Sequence, residues 1–144
     1  TRVGDPFVIE KTLETGAELS GEPNGHYCIK EFTPYNSGTL AGILIATSNL
    51  EEKLENINEN STLRESIAVD NKLKSMKKVK EKVRNAVGLE TISEVDGVKF
   101  ENGEARALIR SSGSSEKLRI IADSGSEKES KNILKRSKEL IRNT

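Results

Sequence analysis

The second half of this sequence predicts a small α+β domain, an antiparallel sheet with helices on one of its faces. Three observations carry that expectation. Apolar residues recur at helical spacing through Leu73, Met76, Val79, Val83 and Val87, short alternating segments separated by turn signals follow, and Ile133, Leu134, Leu140 and Ile141 mark one face of a final helix. The order strand, helix, several hairpin strands, helix is that of sheet and helices segregated into two layers.

The spacing predicts an amphipathic helix over residues 72–86, ended near Gly88. Ile92 to Val95 leads into the turn signal Asp96-Gly97, and Val98-Lys99-Phe100 follows. Asn102-Gly103 is the strongest short hairpin signal in the chain. Beyond it Ala105, Ala107 and Ile109 alternate with Arg106, Leu108 and Arg110, and Leu118 to Ala122 reads as another strand. The last helix is expected from about Glu127 to Arg142. Residues 58–62, Asn-Glu-Asn-Ser-Thr, are polar turn formers without periodicity, so the domain boundary is placed there, giving domains 1–62 and 63–144.

The first half is less regular. Val3, Phe7, Val8 and Ile9 fit either a strand end followed by a loop or the first turn of a helix running toward Leu13. Gly16, Gly21, Pro23 and Gly25 punctuate a constrained loop, and Tyr27, Cys28, Ile29 and Phe32 read as a strand leaving it. Leu40, Ile43, Leu44 and Thr47 have helical spacing, and a second short helix is expected from Leu50 to Ile57.

Composition narrows the function classes. Formal net charge is zero, which gives the whole molecule no electrostatic case for nucleic acid or a membrane surface. No apolar stretch approaches the length needed to span a bilayer. The single cysteine, Cys28, permits no internal disulfide, so a reducing, cytoplasmic setting and an inert packing role for the thiol are expected. The start at Thr1, directly in structured-looking sequence, suggests a fragment or a processed chain.

Two motifs carry chemistry. Arg110-Ser111-Ser112-Gly113-Ser114-Ser115, with Arg119 at the start of the next strand, is an anion-binding turn. An arginine fork, hydroxyls and the backbone N–H groups around a glycine can surround a phosphate. An ordinary Gly/Ser hairpin loop accounts for the composition equally well. In Gly21-Glu22-Pro23-Asn24-Gly25-His26, a carboxylate and an amide two residues apart, stiffened by proline, suit recognition of adjacent hydroxyls. Taken alone, a surface turn is the simpler reading.

Together and in this order the two motifs resemble those of the α-D-phosphohexomutase family, which has four domains. Residues 21–26 match that family's third-domain Gly-Glu-x-Ser-Gly-His, and residues 110–119 match the fourth-domain Arg-Pro-Ser-Gly-Thr-Glu-Pro followed by Arg. Asp96-Gly97-Val98-Lys99, Gly103 and Thr1-Arg2-Val3-Gly4-Asp5 also fit the family. The resemblance covers essentially the whole chain and roughly the last third of the family's length. It implies an α/β remnant of a third mutase domain followed by the small α+β domain. This sequence departs from the pattern at Asn24, in place of Ser, at Ser114, in place of Thr, and at Ser115-Glu116, in place of Glu-Pro. The last change sets a carboxylate beside the expected phosphate loop.

The family moves a phosphate between C1 and C6 of a hexose through a bisphosphorylated sugar. By resemblance, Glu22 and Asn24 hold the O3 and O4 hydroxyls, His26 is a further substrate contact, and Arg110, Ser112, Gly113 and Ser114 hold the non-reacting phosphate. Arg119 is a flanking candidate, and Arg2 could lend positive charge to the reacting phosphate. The family's phosphoserine loop, Thr-Ala-Ser-His-Asn, and its Mg²⁺ loop, Asp-Gly-Asp-Gly-Asp-Arg, are not in this sequence. The resemblance therefore implies that catalytic residues, metal ligands and Mg²⁺ itself belong to missing N-terminal domains. The chain alone is expected to bind a hexose phosphate without turning it over.

Two rivals stand beside this reading. One is a stand-alone sugar-phosphate-binding or regulatory module. The other starts from Lys72, Lys74, Lys77, Lys78, Lys80, Lys82 and Arg84 as a nucleic-acid patch, which zero net charge and the lack of interleaved aromatics argue against. Which hexose is bound stays open, since glucose, mannose and glucosamine differ at C2, which the loop at 21–26 is not expected to read.

Overall fold

The computed structural model describes all residues except 34, 50–53, 56, 58, 143 and 144. The helix expected from Leu50 to Ile57 lies largely outside the described residues. The chain divides into two compact units, Thr1–Ile57 and Asn58–Thr144. Among the described residues no helix is long and apolar enough to cross a membrane.

In the first unit, helix α1 spans Asp5–Thr15, which resolves the two readings of residues 3–9 in favour of a helix. Pro6 in the first turn forfeits an N–H that has no intrahelical partner there, and Asp5 complements the positive helix start. Gly16 ends the helix with φ 72°, its N–H donating to the Thr12 carbonyl. Strands β1 (Leu19–Gly21) and β2 (Tyr27–Ile29) pair antiparallel, so the glycine-rich stretch is the turn of a hairpin. A Cβ at Gly21 would lie 2.4 Å from the Tyr27 ring, which explains the glycine at that cross-strand position. Phe32 falls beyond β2, in a turn whose Phe32 N–H donates to the Ile29 carbonyl at 3.0 Å. Cys28 is buried and donates its thiol to the Thr33 carbonyl at 3.5 Å.

Helix α2 covers Gly38–Ala46, with the Ser37 hydroxyl accepting the Leu40 N–H at 3.2 Å. Its sequence is apolar all round, yet only Ala41 is buried, while Ile43 and Ile45 are more than half exposed.

The second unit is the expected two-layer domain. Strands β3 (Ser61–Ala68), β4 (Glu90–Ser93), β5 (Val98–Asn102), β6 (Ala105–Ser111) and β7 (Lys117–Ser124) form an antiparallel sheet in the order β3-β7-β6-β5-β4. Alternate residues of the central strands, Val98, Phe100, Ala107, Ile109, Leu118, Ile120 and Ala122, face one way. Against them pack Met76, Val79 and Val83 of helix α3 (Lys72–Asn85) and Ile133 and Ile141 of helix α4 (Glu127–Arg142). Both helices therefore cover one sheet face. The other face carries the charged alternates, among them Arg106, Arg110 and Arg119.

Several expectations shift in detail. The boundary after residue 62 falls inside β3, where Ser61 and Thr62 already pair with Ser124 and Asp123. Thr62 sits on the solvent side, and its hydroxyl donates to Asp123 at 3.0 Å, so a polar composition is compatible with a strand there. Leu73 lies in the first turn of α3 and is exposed, and Val87 lies past the helix end, so neither joins the core stripe. Asn102 is the last residue of β5 and pairs with Ala105, making Gly103 and Glu104 the central turn residues. Gly103 takes φ 62°. The register is set one residue from the Asn-Gly signal because Phe100 and Ala107 must share the core face.

Candidate functional site

The two motifs lie one in each unit. In the first, the turn between β1 and β2 closes with the Glu22 N–H donating to the His26 carbonyl at 2.8 Å and the Gly25 N–H to the Glu22 carbonyl at 3.1 Å. Glu22 is 9% exposed, and its Oε1 accepts the Gly4 N–H at 2.9 Å. Its other oxygen lies 3.5 Å from Asn24 Nδ2, while Asn24 Oδ1 accepts the His26 N–H at 3.3 Å. The carboxylate, the amide and the imidazole are thereby drawn onto one turn.

Asp5 joins them from the start of α1: its Oδ1 lies 2.6 Å from His26 Nδ1. That hydrogen bond holds the Asp5 carboxyl below its ordinary range against its partial desolvation, with Glu22 and Asn36 adding to the lowering. The sequence reading missed Asp5 because one acid beside a glycine gives no signal until the chain folds back. Arg2 stacks its guanidinium 4.6 Å from the centre of the Phe7 ring, an exposed cation–π contact.

Asp5, Glu22 and His26 are the described His, Cys, Asp and Glu residues whose potential ligand atoms gather, all within 4.8 Å of one another. They are a poor match for Mg²⁺, which demands near-octahedral oxygen ligation. One of the three donors is an imidazole nitrogen already hydrogen-bonded to Asp5, and Glu22 already accepts a backbone N–H.

In the second unit the serine-rich turn joins β6 to β7. Arg110 and Arg119 are direct cross-strand partners and lie on the sheet face opposite the helices. Like charges placed opposite each other on adjacent strands repel, a cost that an anion between or above them removes. Arg110 is mostly buried, with its Nη1 3.7 Å from Asp96, while Arg119 is exposed. Arg110 Nε is buried and finds no acceptor among the described residues. The backbone of Gly97, at φ 93°, presses on this strand end: a Cβ there would lie 2.1 Å from the Ile109 carbonyl oxygen and 2.8 Å from Arg110 Cα. The Asp96-Gly97 turn signal thus marks a support for Arg110.

Within the loop, Ser112 is buried and its hydroxyl accepts from Ser115 at 3.0 Å. Its N–H donates to the Lys117 carbonyl at 2.9 Å. Gly113 and Ser114 are exposed, and among the described residues nothing accepts their backbone N–H groups. Glu116, expected beside the phosphate, instead accepts the Lys72 N–H at the start of α3 at 2.9 Å. The Lys72 ammonium donates to the carbonyls of Ser112 and Ser115 at 3.1 and 3.4 Å. Other cations of the basic stripe are engaged as well, Lys80 and Arg84 with Glu94 and Lys82 with the Leu140 carbonyl.

Known proteins resemble this chain in sequence and in fold. Residues 1–65 match the family described as phosphoglucomutase/phosphomannomutase, alpha/beta/alpha domain III. A probable phosphoglucosamine mutase of Pyrococcus horikoshii is 27% identical over 99% of this chain and 33% of its own length. A probable phosphoglucosamine mutase of Methanosarcina barkeri is 32% identical over 85% of this chain and 29% of its own. The phosphoglucosamine mutase of Ruegeria pomeroyi is 32% identical over 85% and 27%. The chain thus spans about a third of the length of the curated relatives it matches. The crystal structure of a phosphoglucomutase/phosphomannomutase family protein from Burkholderia thailandensis shares the fold, with a TM-score of 0.78 at 20% identity over 98% of this chain and 31% of that one. Relatives along nearly the whole chain and a shared fold agree with the two motifs: residues 1–65 belong to the phosphoglucomutase/phosphomannomutase family as its α/β/α domain III, and the chain is similar along nearly its whole length to phosphoglucosamine mutases.

Proposed function

We propose that this chain is the substrate-holding part of a phosphohexomutase, an isomerase that interconverts hexose 1-phosphate and hexose 6-phosphate through a bisphosphate. The observation that carries the reading is the pairing of Arg110 with Arg119 beside a loop whose Gly113 and Ser114 N–H groups have no acceptor among the described residues. Two guanidiniums and free amides on one strand end are a charge arrangement that a phosphate dianion completes. In this reading Arg110 meets the non-reacting phosphate through its guanidinium, Arg119 adds charge, and Ser114 and the Gly113 amide close over it. Buried Ser112 keeps the loop's shape. Glu22 and Asn24 bind the sugar O3 and O4, with His26 beside them.

The fourth-domain correspondence of residues 63–144 belongs to the same proposal, as does a cytoplasmic setting. So does the placing of the phosphoserine and Mg²⁺ outside these 144 residues. Mg²⁺ would supply charge neutralisation at the transferring phosphate. A chain that holds substrate but lacks nucleophile and metal ligands should bind without turnover. Since the relatives named above are phosphoglucosamine mutases, glucosamine phosphates are the first substrates to try.

The test is an NMR titration of the ¹⁵N-labelled chain with glucosamine 1-phosphate, glucose 1-phosphate and mannose 1-phosphate, with product assayed in the same tubes. Saturable shifts at Gly113, Ser114 and Asn24 with no 6-phosphate formed are expected. Shifts elsewhere, or turnover by the chain alone, would contradict the reading.

A further inference from the structure

A carboxylate one residue past a phosphate loop should repel the ligand the loop is shaped for. Glu116 is tied down elsewhere. Its Oε2 accepts the Lys72 N–H at 2.9 Å, its Oε1 lies 3.5 Å from the Lys72 ammonium, and its own carbonyl accepts the Val69 N–H at 3.1 Å. The same ammonium, at the tip of a side chain that is mostly buried, donates to the carbonyls of Ser112 and Ser115.

That contact fixes a direction. In a trans peptide the carbonyl of one residue and the N–H of the next point opposite ways. A Ser112 carbonyl aimed at Lys72 therefore turns the Gly113 N–H away from Lys72, and no described residue accepts it there. The loop is further held closed by the Ser115 hydroxyl donating to Ser112 and the Lys117 N–H donating to the Ser115 carbonyl at 2.9 Å.

We infer that Lys72 and Glu116 are positioning residues for the anion loop: Glu116 anchors the start of α3 and its lysine, and the lysine orients the Ser112–Gly113 peptide so that its N–H faces a bound phosphate. This rests on the phosphate-clamp reading above. It also gives the departure at Glu116 a role: the carboxylate that looks hostile to phosphate in sequence holds the group that shapes the site.

A pure charge account makes the opposite prediction for one variant. If Glu116 merely repels, Glu116→Ala tightens phosphate binding; if it positions, Glu116→Ala weakens it. The experiment titrates the full 144-residue chain with inorganic phosphate, following the Gly113 and Ser114 amides by NMR, in wild type, Glu116→Ala and Lys72→Met. Saturable shifts are expected in wild type, with affinity about tenfold lower in each variant while the resonances of β5 to β7 stay in place. Equal or tighter binding by Glu116→Ala overturns the inference and leaves the clamp standing. Should Lys72→Met fail to fold, Glu116→Ala decides alone. A wild-type chain indifferent to phosphate overturns the clamp reading, and this inference with it.

Discussion

Arg110 concentrates the demands made on single residues in the second unit. Its Nε is buried without an acceptor among the described residues, its Nη1 reaches Asp96 at 3.7 Å, and the facing residue across the strand pair is another arginine. Arg110→Lys keeps the charge but loses the planar fork, so it should not restore what Arg110→Ala removes. Phosphate affinity measured for the pair by calorimetry should fall roughly ten- to a hundredfold in Ala and remain well below wild type in Lys. Gly97 is the supporting residue. A Cβ 2.1 Å from the Ile109 carbonyl oxygen must push β6, so Gly97→Ala should cost about 2 kcal/mol or more in urea unfolding of the second unit.

Asp5 makes a different kind of prediction. Its folded-state pKa is depressed, chiefly by the His26 hydrogen bond, so its contribution to stability is present above the unfolded value and lost as pH falls through the folded one. Asp5→Asn should therefore flatten the acid limb of amide exchange at His26 and Gly4, with little change near neutrality. An unchanged acid limb would remove Asp5 from the turn's electrostatics. At this scale the sequence was readable where a residue's place is written in its own neighbours, as with Gly113 in the turn between β6 and β7. It was mute where the partner arrives from elsewhere in the chain: Asp5 meets His26 across 21 positions and Lys72 meets Ser112 across 40.

At the scale of elements, periodicity located the helices and strands of residues 72–142, and packing then set their registers. The stripe of α3 narrowed to Met76, Val79 and Val83 because only those residues face the sheet. The β5–β6 turn settled on Gly103 and Glu104 because the alternation of Val98, Phe100, Ala107 and Ile109 decides which side chains enter the core. The same alternation explains why Arg110 and Arg119 share a face: each is one residue from a buried neighbour, Ile109 and Leu118. Phe100 is fully buried at the middle of this layer, so Phe100→Ala should cost about 3–5 kcal/mol, read as a lowered urea midpoint with its slope unchanged. The first residues of β3 escaped notice because an edge strand can carry Thr62 on its open face and a small Ser61 at its end, where the Ser130 hydroxyl donates to the Ser61 carbonyl.

Over the whole molecule the two units differ in how much they bury. The second has a contiguous core of sheet and helix residues. In the first, buried apolar side chains are limited among the described residues to Val8, Cys28 and Ala41, and the apolar helix α2 leaves Ile43 and Ile45 open to water. Protection against hydrogen exchange tracks such burial, so amides of β5 to β7 should exchange far more slowly than those of α1 and α2. Comparable protection in both would show that the first unit gains stability not visible in its own packing. The division also bears on the proposed function, which assigns hydroxyl recognition to a turn of the sparsely packed unit and phosphate binding to a loop of the well-packed one.

The central claim is that the strand end bearing Arg110 and Arg119 holds the phosphate of a hexose phosphate. Calorimetric titration of the chain and its Arg110→Ala variant with glucosamine 6-phosphate at two salt concentrations tests it most directly. The account predicts saturable binding by wild type that weakens with salt and falls at least about tenfold in the variant. Heat of binding that is absent from wild type, or unchanged by the substitution, would contradict it.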